Sequence, residues 1–296
     1  MKNELIQEYA RFTEAKGGFR EMERALLAVW GSEAIQFLNG LVTGDVAKIE
    51  EGHCIPIAFP NAQGRLLVLA RIQRQGDRFL IDTDGSAREK LFTNLHRFTF
   101  AGDFNLEDLT GSMKFFELFS SENLNIDGVF FETSIGTGVF LGESSIGVLE
   151  TAGMVSISDE LANVLRIEKG IPVFGVDADE STVVPELGVS DLISYNKGCY
   201  IGQEIIARIY FRGHVAKQLK GIVFDEESGN GDLGDKELFS EDGKPAGRIT
   251  SICFSPRFAR RIGLAMIRYE FREAGSKLVT ENDRRCQVID VPMAKS

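Results

Sequence analysis

Apolar residues along the chain recur first with helical spacing. Over residues 2–16, Leu5, Tyr9 and Phe12 fall on one side, which predicts an N-terminal helix. A second helix is expected to start at Ser32, as N-cap, and to run through EAIQFLNGL before Gly40 and Gly44 break the pattern. The period then shortens: RLLVLARIQ predicts a buried strand, RQGD a turn, and RFLIDTD the returning strand of a hairpin. Ser86 and Glu89 form a candidate capping box ahead of a helix through Leu91, Leu95 and Phe98. Between 113 and 143, MKFFELF, GVFFET and GVFLGE predict short strands. SDELANVLRIEKG is the clearest helix of the middle region, with Ser158 as its cap and Gly170 as its stop.

The pattern changes after Gly213. KQLKGIVFD, KELFSED, AGRITSICF, IGLAMIR, KLVT and RCQVIDV are six candidate strands, and turn signals (Asp242-Gly243, Ser255-Pro256, Asn282-Asp283) separate most of them. Short strands without a helical period predict a small closed barrel, because closure removes exposed sheet edges. The segment EESGNGDLGD, 226–235, is expected to be a polar loop inside that barrel. Upstream, strands and helices alternate without a strict βαβ repeat, so the fold class is α+β. The main boundary falls near 213–217, dividing an α+β region, 1–213, from a barrel domain, 214–296.

Composition narrows the function classes. The chain of 296 residues is 43% hydrophobic and 26% charged, which disfavours disorder. No apolar run approaches the roughly 20 residues of a bilayer span. The start, MKNELIQEYARF, lacks an apolar signal core and carries Glu4 and Glu8, so a cytoplasmic protein is expected, with no membrane partner. The four cysteines are scattered without a CxxC pair, and the three histidines lie far apart, so no local metal motif is indicated. Lys plus Arg is 33 against 44 Asp plus Glu, a net charge of −11, which disfavours direct nucleic-acid binding while leaving room for a local basic patch.

Three segments could carry chemistry. Glu168 lies three and four residues beyond Leu165 and Val164, on the buried-facing stripe of its helix. A carboxylate there needs a partner. A structural ion pair with an arginine satisfies that need, as does a ligand with paired N–H donors such as a pterin or guanine edge. In NKGCYIGQE, two glycines around Cys199 permit a tight turn, and Lys197 would favour the thiolate if it lies near in space. A glycine turn packing a small apolar cysteine accounts for the same residues. Arg257, Arg260, Arg261, Arg268 and Arg272 form either a solvated surface or a docking patch for an anionic ligand, RNA or partner.

Several blocks resemble one family. FLNGLVTGDV (37–46), PNAQGRLL (60–67), RIEKGIPVFGVD (166–177), Pro185-Glu186, KGCYIGQE (197–204) and GRITSICFSP…IGLAMI (247–267) are similar, in order, to the motifs of the YgfZ-type folate-binding proteins. That family is related to the T-protein, the aminomethyltransferase of glycine cleavage. The resemblance implies two ferredoxin-like-type lobes (about 1–50 with 145–213, and 51–144) and a six-stranded antiparallel C-terminal barrel, arranged around a central channel. It implies tetrahydrofolate or a one-carbon derivative as cofactor, with Glu168 holding the pterin. Arg166, Asn61, Tyr200, Gln203, Glu204 and Arg208 are the other expected cofactor contacts, and Cys199 with Lys197 the reactive group. The implied partners are iron–sulfur enzymes or their assembly factors, tRNA-modifying enzymes among them.

One departure stands out. Where the T-protein strand carries a carboxylate that positions the reacting folate nitrogen, this chain has Leu66-Leu67-Val68-Leu69. Acid–base help is missing at that point, which argues against aminomethyl transfer. The expected function is therefore folate-dependent support of iron–sulfur enzymes. Folate-dependent one-carbon transfer and a non-catalytic tRNA-binding module, using the arginines of 257–272, are the alternatives.

Overall fold

The computed structural model describes residues 2–99, 102–120, 124–142, 146–225 and 236–293. The expected loop at 226–235 lies outside the described residues. In chain order the strands of the body are β1 (Gly17–Met22), β2 (Arg24–Trp30), β3 (Cys54–Pro60), β4 (Leu66–Gln75), β5 (Arg78–Asp84), β6 (Asn105–Asp108), β7 (Lys114–Ser120), β8 (Val129–Thr133), β9 (Gly136–Leu141) and β10 (Val155–Ser156). The helices are α1 (Lys2–Glu14), α2 (Ala34–Leu41), α3 (Arg88–His96), α4 (Ile146–Thr151), α5 (Asp159–Lys169) and α6 (Gln203–Arg212). The tail adds β11 (Lys217–Phe224), β12 (Glu237–Ser240), β13 (Pro245–Ser255), β14 (Arg260–Arg268), β15 (Lys277–Thr280) and β16 (Arg285–Ile289).

These strands form a mixed α+β body and a barrel. One sheet has the order β10-β1-β7-β9-β8, antiparallel except for the parallel β1–β10 pair. The second, β3-β4-β5-β2-β6, is antiparallel throughout. The six tail strands close as β11-β14-β13-β12-β15-β16, with β16 pairing back onto β11. This is the antiparallel barrel expected from the turn-punctuated strands. Only Glu23 separates β1 from β2, yet the two strands lie in different sheets. Residues 51–144, expected as one lobe, contribute strands to both sheets.

The two sheets pack through Leu26, Ala28, Leu80, Phe115, Phe131 and Phe140, all buried. Each fully buried phenylalanine contributes about 1.5–3 kcal/mol relative to exposure. A charged cluster sits in this apolar layer. Arg24 grips Asp82 with Nε to Oδ1 at 2.8 Å and Nη2 to Oδ2 at 2.7 Å, and Arg71 Nε donates to Oδ2 at 2.5 Å. Arg71 Nη1 also donates to the carbonyls of Phe131 and Gly136, which lie in or beside the opposite sheet. The cluster therefore fixes the register of one sheet on the other.

α5 joins the body to the barrel. Ser158 caps it by accepting the Leu161 N–H, and Gly170 ends it at φ 73°, as the sequence predicts. A Cβ on Gly170 would lie 2.3 Å from that of Val291, so the chain's tail passes against this helix end. The two other predicted caps differ. Ser32 Oγ donates to Asp103 rather than capping α2, which starts at Ala34 and runs through Gly40. Ser86 donates its N–H and Oγ–H to Asp84, so the local turn uses the Asx side chain and α3 starts at Arg88 without the Ser86–Glu89 box.

Replacing Asp82 with Asn leaves Arg24 and Arg71 without their counter-charge in a dry layer. The expected cost is about 3–5 kcal/mol, seen as a lower midpoint in urea unfolding. An unchanged midpoint would show that the sheets do not rely on this cluster.

Candidate functional site

A cavity of about 130 Å³ opens where the two sheets meet the end of α5. Leu69, Phe115, Ile171 and Phe174 make its apolar walls. Its arginines are each held by a carboxylate: Arg24 and Arg71 by Asp82, Arg20 by Glu117 at 2.7 Å, and Arg166 by Asp177 at 2.8 Å. Arg166 is the most committed. It also donates to Asn163, the Ile171 carbonyl and Ser251 Oγ of β13. Asp177 in turn accepts from the hydroxyls of Thr250 and Ser251 and from the Val173 N–H. This network is buried and welds α5 and the following turn to the barrel.

Glu168 lies two residues further on and is only 4% exposed. Its Oε1 accepts from Ser255 Oγ at 2.5 Å and its Oε2 from Tyr9 OH at 3.2 Å, so it bridges α1, α5 and β13. Burial, reinforced by the Glu168 charge, pushes the Tyr9 phenol well above its usual range. The same causes push the Cys253 thiol up to about 12.

The cysteine turn rests on two other motifs, 37–46 and 60–67. Ile201 N–H donates to the Gly40 carbonyl at the end of α2. Lys197 Nζ donates to the carbonyls of Val42 and Gly44 at 2.8 and 2.6 Å. Gly202 takes φ 80°, and a Cβ there would lie 2.4 Å from the Asn61 carbonyl oxygen, so only glycine fits this crossing. Asn61 Oδ1 accepts the Gln63 and Arg65 N–H groups and shapes that loop. Leu66 N–H and the Gly64 carbonyl then pair with Thr182 and Val184. Thr43, fully buried, donates to the Leu192 carbonyl and accepts the Ala58 N–H. Two motifs distant in sequence, themselves braced by 182–184 and Leu192, thus hold one turn, and Cys199 stands exposed upon it.

The predicted residues therefore occupy four places. Arg166 lines the cavity. Glu168 lies in the α1–α5–β13 junction. Asn61, Lys197, Tyr200 and Gln203 build the cysteine turn, Gln203 Oε1 accepting the Tyr200 N–H at 3.0 Å. Glu204 and Arg208 pair with each other at 2.9 Å on the exposed face of α6. Arg24, Arg71, Asp82 and the pairing of Asp177 with Arg166 have no signal in the sequence, because a lone arginine or aspartate in a strand or turn has no local signature. Among the cysteines, burial raises the thiols of Cys54, Cys253 and Cys286, while Cys199 is exposed. The arginine run does not form one patch. At about 3.3 Å per residue, Arg260 and Arg268 stand roughly 26 Å apart, at opposite ends of β14.

This architecture is that of the aminomethyltransferase fold. A solved structure, the glycine cleavage system aminomethyltransferase T of Bartonella henselae, matches with a TM-score of 0.83, covering 97% of this chain and 89% of that one at 16% identity. Residues 217–294 match the glycine cleavage T-protein C-terminal barrel domain. Within that class the chain is similar both to YgfZ-type proteins and to the T-protein. It is 28% identical over 217 residues to the tRNA-modifying protein YgfZ of Escherichia fergusonii, covering 64% of this chain and 66% of that one. It is 27% identical over 227 residues to the mitochondrial iron-sulfur cluster assembly factor IBA57 homolog of Mycosarcoma maydis, covering 68% and 55%. An aminomethyltransferase of Rubrobacter xylanophilus is 26% identical over 300 residues, covering 90% and 80%. The chain thus spans little more than half the length of the Mycosarcoma relative. Among the described residues, no helix is long and apolar enough to cross a membrane.

Lys197 gives a pH test of the cysteine turn. Burial pushes its ammonium down to about 8, opposed by the nearby Asp45 carboxylate. Between that value and the ordinary lysine value of 10.5, the unfolded chain holds a proton that the folded chain has released. Stability contributed by this group therefore rises with pH through that window. The difference in urea midpoint between the wild type and Lys197→Met should move in favour of the wild type from pH 8 to pH 10.5. A flat or falling difference would show that Lys197 is not desolvated.

Proposed function

We propose that this protein binds tetrahydrofolate, or a one-carbon derivative of it, and supports iron–sulfur enzymes, tRNA-modifying ones among them, with Cys199 as its reactive group. The observation that carries the reading is the convergence of the family's separated motifs on one turn that presents an exposed thiol. The relatives named for iron–sulfur cluster assembly and for tRNA modification support the target class. We place the folate in the α+β region, 1–213, and leave the barrel, 214–296, as the wall against which α5 is fixed.

The cavity's chemistry fits a reduced pterin. Phe115, Leu69, Ile171 and Phe174 offer apolar faces to a flat ring, and polar groups lie at its edges. Arg166 would border the ligand directly. Glu168, expected to grip the pterin, would have to exchange Ser255 or Tyr9 for the ring's N–H donors. Tetrahydrofolate, when bound, would supply a carrier for one-carbon groups.

Leu69 faces this cavity from the strand where the T-protein has its carboxylate. The other carboxylates at the cavity are engaged, Asp84 by Ser86 and Glu117 by Arg20. This weighs against aminomethyl transfer, because no free carboxylate stands ready to position the reacting nitrogen.

Calorimetric titration with tetrahydrofolate should show binding by the wild type and at least tenfold weaker binding by Glu168→Gln, the loss of about 1.5–3 kcal/mol expected for a hydrogen bond to a charged group. No binding by the wild type would overturn the folate reading, and equal binding by the variant would remove Glu168 from the site. Cys199→Ala should keep tetrahydrofolate binding and fail to restore iron–sulfur enzyme activity in a deletion strain. Full restoration would remove the thiol from the function.

A further inference from the structure

A second and larger cavity, about 500 Å³, lies on the other side of the Arg166–Asp177 pair. Its walls are the turn 175–182 and barrel strands β11 to β14. The volume is that of a small-molecule site. Its floor is apolar, with Ala178 and Met266 each buried and packed in one cluster.

The charges around it are unbalanced in favour of cations. Asp177 is saturated by Arg166, Thr250, Ser251 and the Val173 N–H. Asp179 accepts from the N–H and hydroxyl of Ser181 and from Thr182, which with the weaker pull of the Lys217 charge hold its carboxyl below the usual range. The cations are less well matched. Lys217 reaches Glu186 only at 4.0 Å, and Arg248 reaches Glu237 only at 3.7 Å, both beyond hydrogen-bonding distance. Among the described residues Arg268 has no side-chain hydrogen bond or ion pair.

The barrel register sharpens this. Lys217 and Arg268 are direct cross-strand partners in the β11–β14 ladder. Directly opposed residues share a face of the sheet, with Cβ atoms about 5 Å apart, and like charges there are destabilising. Two cations are therefore held together over an apolar floor, in a protein of net charge −11, with their N–H donors available. An anion between them removes the repulsion and uses those donors.

We propose that this cavity binds an organic phosphate of nucleotide size, its phosphates between Lys217, Arg268 and Arg248 and its base or other apolar body against Ala178 and Met266. The site is separate from the folate reading and does not rest on it.

The test is calorimetry on the full chain with ADP, pyrophosphate and adenosine as probes. ADP should bind, pyrophosphate more weakly, and adenosine not detectably. Arg268→Gln and Lys217→Ala should each weaken ADP at least tenfold, and Arg248→Gln gives a third reading of the same cationic wall. Without ligand, Arg268→Gln should melt at or above the wild-type temperature, because it relieves a like-charge pair. Saturating tetrahydrofolate should leave the ADP affinity unchanged. The proposal is overturned if ADP gives no binding heat at millimolar concentration, if the variants bind as the wild type does, if pyrophosphate binds as tightly as ADP, or if tetrahydrofolate displaces ADP.

Discussion

Buried arginines held by carboxylates are the constraint on which the rest of this structure depends. Asp82 clamps Arg24 and Arg71 between the two sheets, and Asp177 clamps Arg166 between α5 and the barrel. A guanidinium taken out of water without a partner is costly, so each clamp holds only when its elements meet in one arrangement. The long reach of arginine makes this possible. Arg71 spans from β4 to carbonyls beside β8 and β9, and Arg166 spans from its helix to Ser251 of the barrel.

The same clamps decide what the cavities are. The smaller one is walled by arginines whose charge is already neutralised, so it presents apolar faces with ordered polar edges rather than a strong positive field. The larger one lies beyond Asp177, where that carboxylate is consumed and the barrel's own cations are left poorly matched. One buried ion pair is therefore the partition between two pockets of different electrostatic character. The cysteine turn is built differently. It rests on backbone crossings, Gly202 against Asn61 and Lys197 on the carbonyls of Val42 and Gly44, which fix a thiol at the surface instead of enclosing it.

Much of this was legible along the chain where the information is local. Ser158 and Gly170 bound α5, and six turn-separated strands gave the barrel, because caps and turns are decided by neighbouring residues. Ser32 and Ser86 misled for the same kind of reason. A short polar side chain has several nearby partners, and here Asp103 and Asp84 took them. The strands β1 and β2 gave no clear signal, since FREMERALLAVW neither alternates cleanly nor contains a turn, although it passes from one sheet to the other.

The sequence by itself determined the α+β class, the barrel, the burial of Glu168 and the specific cysteine octapeptide. Each of these depends on periodicity or on residues a few positions apart. Tertiary structure alone decided the partners: Glu168 meets Tyr9 and Ser255, Arg166 meets Asp177 and Ser251, and Lys217 stands opposite Arg268. The physical reason is that a buried charge records along the chain only that it needs a partner. Which one it finds is set by how sheets, helix and barrel pack.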